Sequence, residues 1–365
     1  MAVEYATARG RWVLAATVLG SGLAAIDATV VGIALPAIGR DFEVGLTSLQ
    51  WIVTGYTLAL AGLLLVGGAL GDRYGRRRIF IIGVAWFAGA SLLCGVAPNA
   101  QMLIAARVLQ GVGAALLTPS SLAVLEATFV PADRSRAIGA WSGMGGLATA
   151  IGPFVGGWLI ATASWRYIFL INLPLATLVI WVCLRHLPET RDTAATGRID
   201  LTGGALVTMS LIGLCFGLTE GSRLGWGSAG IVGALAAGAG LLVAFVAWER
   251  RVDHPLLPLS LFASRQFSAT NAVTFIVYGA LGAVLFLLPI QLQQVSGYGP
   301  VASGASLLPL TVIMLVLSAR SGALAARIGP RLQMTGGPLL VGAGVVLLAR
   351  IGPDGGYLTE VAPAV

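Results

Sequence analysis

Lysine is absent from the 365 residues, and all 22 basic side chains are arginine, a usage read as codon bias rather than chemistry. Charge of either sign is scarce. Only 10% of residues are charged against 57% hydrophobic, and the mean hydropathy is +0.90. Soluble globular domains carry about 25% charged residues, so this composition excludes that class and leaves a polytopic membrane protein. The net charge of +7 does not imply a nucleic-acid partner, because the arginines sit in short loops between apolar runs and form no continuous basic face. Three cysteines, Cys94, Cys183 and Cys215, each fall inside an apolar run without a C-x-x-C pair, so they are read as packing residues rather than a disulfide or metal site. The two histidines, His186 and His254, have no partner at metal-ligand spacing and are read as surface residues. No H-E-x-x-H, Walker loop or G-x-S-x-G setting is present, so ATP-driven transport and membrane-enzyme chemistry lack a site. The first apolar run is long enough to span and reads on through Asp27, which argues against a cleavable signal peptide.

What the chain has instead is long apolar runs. At about 20 residues per span, eleven helices are expected, over residues 12–35, 49–70, 79–97, 101–125, 137–161, 167–184, 201–219, 228–248, 268–292, 301–319 and 333–350. With a cytoplasmic amino terminus, seventeen arginines fall in loops on that side, four on the other, and Arg107 alone lies within a span. That asymmetry sets the orientation. The polar stretch 185–200 reads as a cytoplasmic linker between an N-terminal six-helix bundle, 1–184, and the helices of 201–365. A weak repeat supports two related halves: Gly68, Leu70, Arg73, Gly75 and Arg77 recur as Gly322, Leu324, Arg327, Gly329 and Arg331, with Ala326 in place of Asp72.

Asp27 is the one acid well inside a span, and an intramembrane carboxylate is a functional candidate by default. It lies about 12 Å from the outer end of its helix, and Arg107 about 9 Å from the outer end of the fourth span. The matched depths suggest a coupling unit in which Arg107 favours ionised Asp27, burial opposes it and substrate tips the balance. A permanent ion pair tying two helices together is the alternative. The fifth span, Gly143 to Gly157, is rich in small residues that allow close helix contact, and Pro153 removes a backbone hydrogen bond there.

The stretch GALGDRYGRRR, Gly68 to Arg78, resembles the signature loop between the second and third helices of the major facilitator superfamily. The resemblance implies an all-α, polytopic transmembrane bundle working by alternating access, with Gly68, Asp72, Arg73, Gly75, Arg76 and Arg77 in its cytoplasmic gate. Glu126, ending the fourth span, is then expected to pair with Arg76 or Arg73 when the transporter faces outward, a solvated helix-end charge being the alternative. The D-x-T-V-V-x-x-A-L-P run from Asp27 and the R-x-x-Q-G-x-G-A-A run from Arg107 resemble further family motifs, with Gly32 standing where related drug exporters usually carry asparagine. The G-P-x-x-G-G ending, carried by Gly152, Pro153, Gly156 and Gly157, resembles the motif that marks antiporters.

Trp165 to Pro174, Asp200 to Gly203 and Leu288 to Pro309 resemble the fourteen-helix drug:proton antiporters. The family builds twelve or fourteen spans, so eleven suggests a fragment or a truncated protein. The function implied is proton-driven export of drugs or other small amphipathic molecules across the cytoplasmic membrane, with no cofactor. Partners are the substrate, protons and the lipid bilayer. Trp51, Tyr56, Asn271, Phe275, Gln291 and Gln294 are candidate cavity residues, with packing or lipid-facing roles open for each. Alternatives are a dedicated exporter of a self-made antibiotic or siderophore, and a non-transporting membrane partner or sensor.

Overall fold

In a bilayer each backbone N–H and C=O must be bonded within the chain, so long apolar runs fold as helices. The computed structural model describes residues 3–191, 199–310, 312–313, 316–317, 331–352 and 356–364. Its helices are α1 (Ala8–Phe42), α2 (Leu46–Tyr74), α3 (Arg76–Gly95), α4 (Ala100–Thr128), α5 (Pro131–Thr162), α6 (Tyr167–Leu170), α7 (Asn172–His186), α8 (Leu201–Leu224), α9 (Ala229–Glu249), α10 (Arg265–Gln294), α11 (Pro300–Ala305) and α12 (Arg331–Leu348). Counting α6 and α7 as one, ten among the described residues are long and apolar enough to cross a membrane. The expected span 301–319 begins as a shorter apolar helix, Pro300–Leu310. Much of its remainder lies outside the described residues, as does the second loop copy from Gly322 to Gly329. Most of the linker, 192–198, lies outside them too.

The chain divides into two compact units. Unit 1 comprises Met1–Ala24, Gly39–Ser142 and Phe169–Leu259, and unit 2 comprises Ala25–Ile38, Gly143–Ile168 and Ser260–Val365. In unit 1, α2, α3 and α4 pack on one another, α7 packs on α3, and the α8–α9 hairpin packs through α8 on α2. Val13 and Leu23 of α1, Phe80, Val84 and Phe87 of α3, and Leu117 and Val124 of α4 belong to its buried core. The α2–α4 contact depends on two glycines: a methyl on Gly67 would strike the Ala115 carbonyl, and one on Gly111 the Tyr56 carbonyl. Cys94 and Cys183 are buried and Cys215 half-buried, all as free thiols.

Two hydrogen bonds join α8 to α2, Thr208 Oγ1 to the Gly62 carbonyl at 2.9 Å and Trp51 Nε1 to Glu220 Oε1 at 2.7 Å. They make the helices antiparallel. The amino-terminal segment is tied to the α4–α5 turn. Val3 N donates to Thr128 O at 2.8 Å, Tyr5 N donates to Asp133 Oδ2 at 2.8 Å, and Arg136 covers the Tyr5 ring at 4.4 Å. His186 is not a simple surface residue: it is half-buried and stacks on Trp12 at 4.9 Å.

Unit 2 has a smaller core of Ile33 from α1, Leu288 and Leu292 from α10, Leu307, Ile351 and Val361. Gln293 Nε2 donates to the Ile33 carbonyl at 3.0 Å, joining α10 to α1. Large apolar side chains on α10 and α12, among them Ile276, Leu339 and Leu340, are exposed. Such a surface is at home against lipid and not water.

Candidate functional site

Arg107 is 1% exposed within unit 1, and a buried guanidinium requires partners around it. Its Nε donates to the Ile52 carbonyl of α2 at 3.1 Å and its Nη1 to Gln110 Oε1, one turn on along α4. The Tyr56 ring lies 4.3 Å from the guanidinium carbon and the Phe169 ring 5.7 Å, within reach of cation–π attraction. A second layer holds Gln110 in turn. Gln110 Nε2 donates to Ser91 Oγ of α3 at 2.8 Å, and Asn172 Nδ2 of α7 donates to the same oxygen at 3.3 Å. Arg107 is thus positioned by α2, α3, α4 and α7 together. Tyr56, expected in a cavity, is buried here against the cation. Gln110, in the R-x-x-Q run, and Phe169 and Asn172, in the stretch Trp165 to Pro174, have no role assigned from the sequence, and Ser91 belongs to no motif. The i, i+3 spacing of Arg107 and Gln110 was the available signal for the first of them.

The loop after α2 forms a second site in unit 1. Gly75 has φ +113°, a value that L side chains rarely adopt, and it separates α2 from α3. Asp72 Oδ1 accepts from Arg76 Nε at 2.9 Å and Nη2 at 2.8 Å, while Arg76 Nη1 reaches the Ala123 carbonyl of α4 at 3.3 Å. Arg77 Nη2 donates to the Leu184 carbonyl at 2.9 Å, and Arg77 N donates to Glu189 Oε1 at 3.2 Å. Arg73 lies over the ring of Tyr74 at 5.6 Å. Gly68 lies against Pro119 of α4. Glu126 is exposed at the same end of α4 and makes no ion pair with a described residue; Arg76 is bound to Asp72 instead. Glu189, absent from the sequence-derived set, lies against Gly75 with only 2.6 Å to where a β-carbon would stand.

Asp27 lies in unit 2, in the α1 stretch Ala25–Ile38, and is fully buried. Two residues on, Thr29 Oγ1 donates to the Thr149 carbonyl of α5 at 3.1 Å. The glycines of the G-P-x-x-G-G ending make that approach possible: a methyl on Gly152 would strike Thr29 Oγ1, and one on Gly156 would strike Val30. Gly157 meets the Pro300 carbonyl with 2.5 Å to a would-be β-carbon, and Gly304 leaves no room for one against the Pro153 carbonyl.

The remaining cavity candidates are dispersed. Trp51 is bonded to Glu220. Asn271 donates to the Phe267 carbonyl of its own helix at 2.8 Å, Phe275 is 83% exposed, and Gln294 is exposed. Gln291 lines a cavity of about 500 Å³ in unit 2, between apolar side chains of α10 and α12 that include Val284, Leu288, Val345 and Leu348.

Residues 17–362 match the Major Facilitator Superfamily. The tetracenomycin C resistance and export protein of Streptomyces glaucescens is 39% identical over 336 residues, covering 92% of this chain and 62% of that protein. The puromycin resistance protein of Streptomyces alboniger is 39% identical over 357 residues, 97% of this chain and 71% of that protein. The chain thus spans about 62% of the length of the first relative and 71% of the second. Among solved structures, the peptide transporter POT in complex with sulfate matches with a TM-score of 0.67 at 13% identity, over 100% of this chain and 81% of that one, a likeness of fold alone. With its match running through nearly the whole sequence, this all-helical chain belongs to the Major Facilitator Superfamily.

Proposed function

We propose that the chain is part of a proton-coupled antiporter that exports antibiotics or other small amphipathic molecules. It would do so across the cytoplasmic membrane, with its amino terminus in the cytoplasm. The observation that carries the reading is Asp27, a carboxylate buried mid-helix beside the tight α1–α5 contact of the G-P-x-x-G-G ending. Two similar proteins are named for antibiotic resistance, one of them also for export. Asp27 takes up a proton from the outer side to favour substrate release, and gives it to the cytoplasm on return. Arg107, the buried cation of unit 1, is assigned with Asp27 to proton coupling. The loop of Gly68, Asp72, Arg73, Gly75, Arg76 and Arg77, together with Glu126 near the end of α4, serves as the cytoplasmic gate. Trp51, Tyr56, Asn271, Phe275, Gln291 and Gln294 remain the proposed substrate-contacting set. The likeness of the stretches from Trp165 and Leu288 to the fourteen-helix drug:proton antiporters supports membership of that subfamily, with residues 1–184 as the N-terminal bundle and 185–200 as the linker.

A dedicated exporter of one antibiotic is a second reading, favoured by the single compound in each relative's name. The test is ethidium and antibiotic uptake by inverted vesicles carrying the chain. Uptake that appears with an imposed proton gradient and vanishes with a protonophore supports antiport. Uptake of one antibiotic but not ethidium supports the narrow cargo. Uptake indifferent to the gradient contradicts both.

A further inference from the structure

Two acids meet at the foot of the α8–α9 hairpin, apart from both Asp27 and the loop after α2. Asp200, 7% exposed, caps α8: its Oδ1 accepts from Gly203 N at 2.9 Å, and Trp248 Nε1 lies 3.0 Å from each of its oxygens. Glu249 ends α9 and is 4% exposed. Its Oε2 accepts from Leu257 N at 2.8 Å, a bond that folds the following segment back onto the helix. Its Oε1 is buried and has no hydrogen-bond donor among the described residues. The two carboxyls lie side by side over Gly203, close enough for each to act on the other's charge. A β-carbon on Gly203 would strike Asp200 Oδ2 and come within 2.6 Å of Glu249 Oε1, so these two oxygens converge on one face of the first turn of α8.

Two ionised carboxylates are acceptors only, and burying them face to face is costly. One proton turns the contact into a hydrogen bond. The charged and titratable side chains of the adjoining elements are Arg250, Arg251, Asp253 and His254 after α9, and Asp72 and Arg73 at the matching end of α2. None of them bonds to either carboxyl among the described residues. Donor placement indicates where the proton sits. Both Asp200 oxygens are met by donors, the Gly203 amide and the Trp248 indole, and Glu249 Oε2 is met by the Leu257 amide, whereas the buried Glu249 Oε1 faces an acceptor.

We propose that Asp200 and Glu249 bind one proton between them, carried on Glu249 Oε1 and donated to Asp200 Oδ2. The hairpin foot is thereby a protonation site separate from Asp27. When the proton leaves to bulk water, two buried anions repel each other. Glu249 then shifts and loosens its hold on Leu257, so the fastening of segment 250–258 follows the pH of the water at that end.

The test is difference infrared spectroscopy on the full chain in nanodiscs, titrated with pH. At neutral pH the wild type shows a protonated-carboxyl carbonyl band, shifted by deuterium, that Glu249→Gln removes and Asp27→Asn leaves in place. Raising the pH lowers the wild-type thermal midpoint, because the native state keeps a proton that the unfolded chain has released. Glu249→Gln, whose amide still donates to Asp200, loses that part of the fall. Asp200→Asn is the second route, needed if Glu249→Gln does not fold: its amide donates to Glu249, which ionises, so the band disappears there too. A band unchanged in either variant, or a band that follows metal-ion concentration rather than pH, overturns the proposal.

Discussion

At Arg107 the shape of the guanidinium matters as much as its charge. Nε holds a backbone carbonyl of α2, Nη1 holds Gln110, and an aromatic ring covers one face. Lysine keeps the charge but offers one compact ammonium in place of a planar fork. Arg107→Lys should therefore lower both the thermal midpoint in detergent and the transport rate, and a variant equal to wild type in both would show that charge alone suffices. Gln110→Leu removes both the acceptor it offers to Nη1 and the amide it donates to Ser91, a loss of about 1–3 kcal/mol. Thermal unfolding checks this, and an unchanged midpoint would mean that another group takes over. Asp27 and Arg107 could be read from the sequence because an ionisable side chain in an apolar run stands out by itself. Ser91 and Asn172 could not. Each is an ordinary neutral polar residue, and only the packing of α4 and α7 on α3 brings Gln110 and Asn172 together at the Ser91 hydroxyl.

Between elements, the decisive chemistry is the missing side chain. The fifth span's run of glycines was legible as a close-contact surface, but its glycines are not equivalent. Gly157 faces the backbone carbonyl of Pro300, which cannot yield, whereas Gly139 on the same helix α5 has nothing within 4 Å of a would-be β-carbon. Gly157→Ala should then destabilise by about 1–3 kcal/mol through overpacking. Gly139→Ala should be neutral or stabilising by up to about 1 kcal/mol, from helix propensity. Equal effects of the two substitutions would refute the packing account. At the α2–α3 turn, Gly75→Ala meets both a φ of +113° and the Glu189 carboxylate, so it should impair folding or transport more than Gly68→Ala, whose β-carbon would meet Pro119 at an ordinary 3.7 Å. Transport by the two variants at matched membrane levels decides this. Glu189 is not legible in the sequence because it belongs to the linker, and nothing local links it to a glycine more than a hundred residues earlier.

For the molecule as a whole, hydropathy located the helices but not their ends. The first span was expected over 12–35 and the helix runs Ala8–Phe42, capped by the Thr7 hydroxyl, which accepts from Gly10 N at 3.0 Å. At 1.5 Å per residue its 35 residues measure about 52 Å, well beyond a hydrocarbon core of about 30 Å. An apolar window sees only the stretch that needs lipid, while the polar ends are fixed by caps and by neighbours such as Asp133 on the amino-terminal segment. The all-helical class and the family were legible because composition and ordered motifs are spread over the whole chain. The loop chemistry was partly legible, since its residues are contiguous. The partners of Trp51 were not, because Glu220 lies on a helix far along the chain.

The proposal as a whole rests on Asp27 as the proton-binding group, and it is tested most directly by ethidium or antibiotic uptake into inverted vesicles under an imposed proton gradient. Wild type and Asp27→Asn are compared at equal membrane levels. Gradient-driven uptake by the wild type that is lost in Asp27→Asn, with downhill substrate exchange retained by the variant, is the result expected. Full gradient-driven accumulation by Asp27→Asn would contradict the account and move proton coupling to another residue.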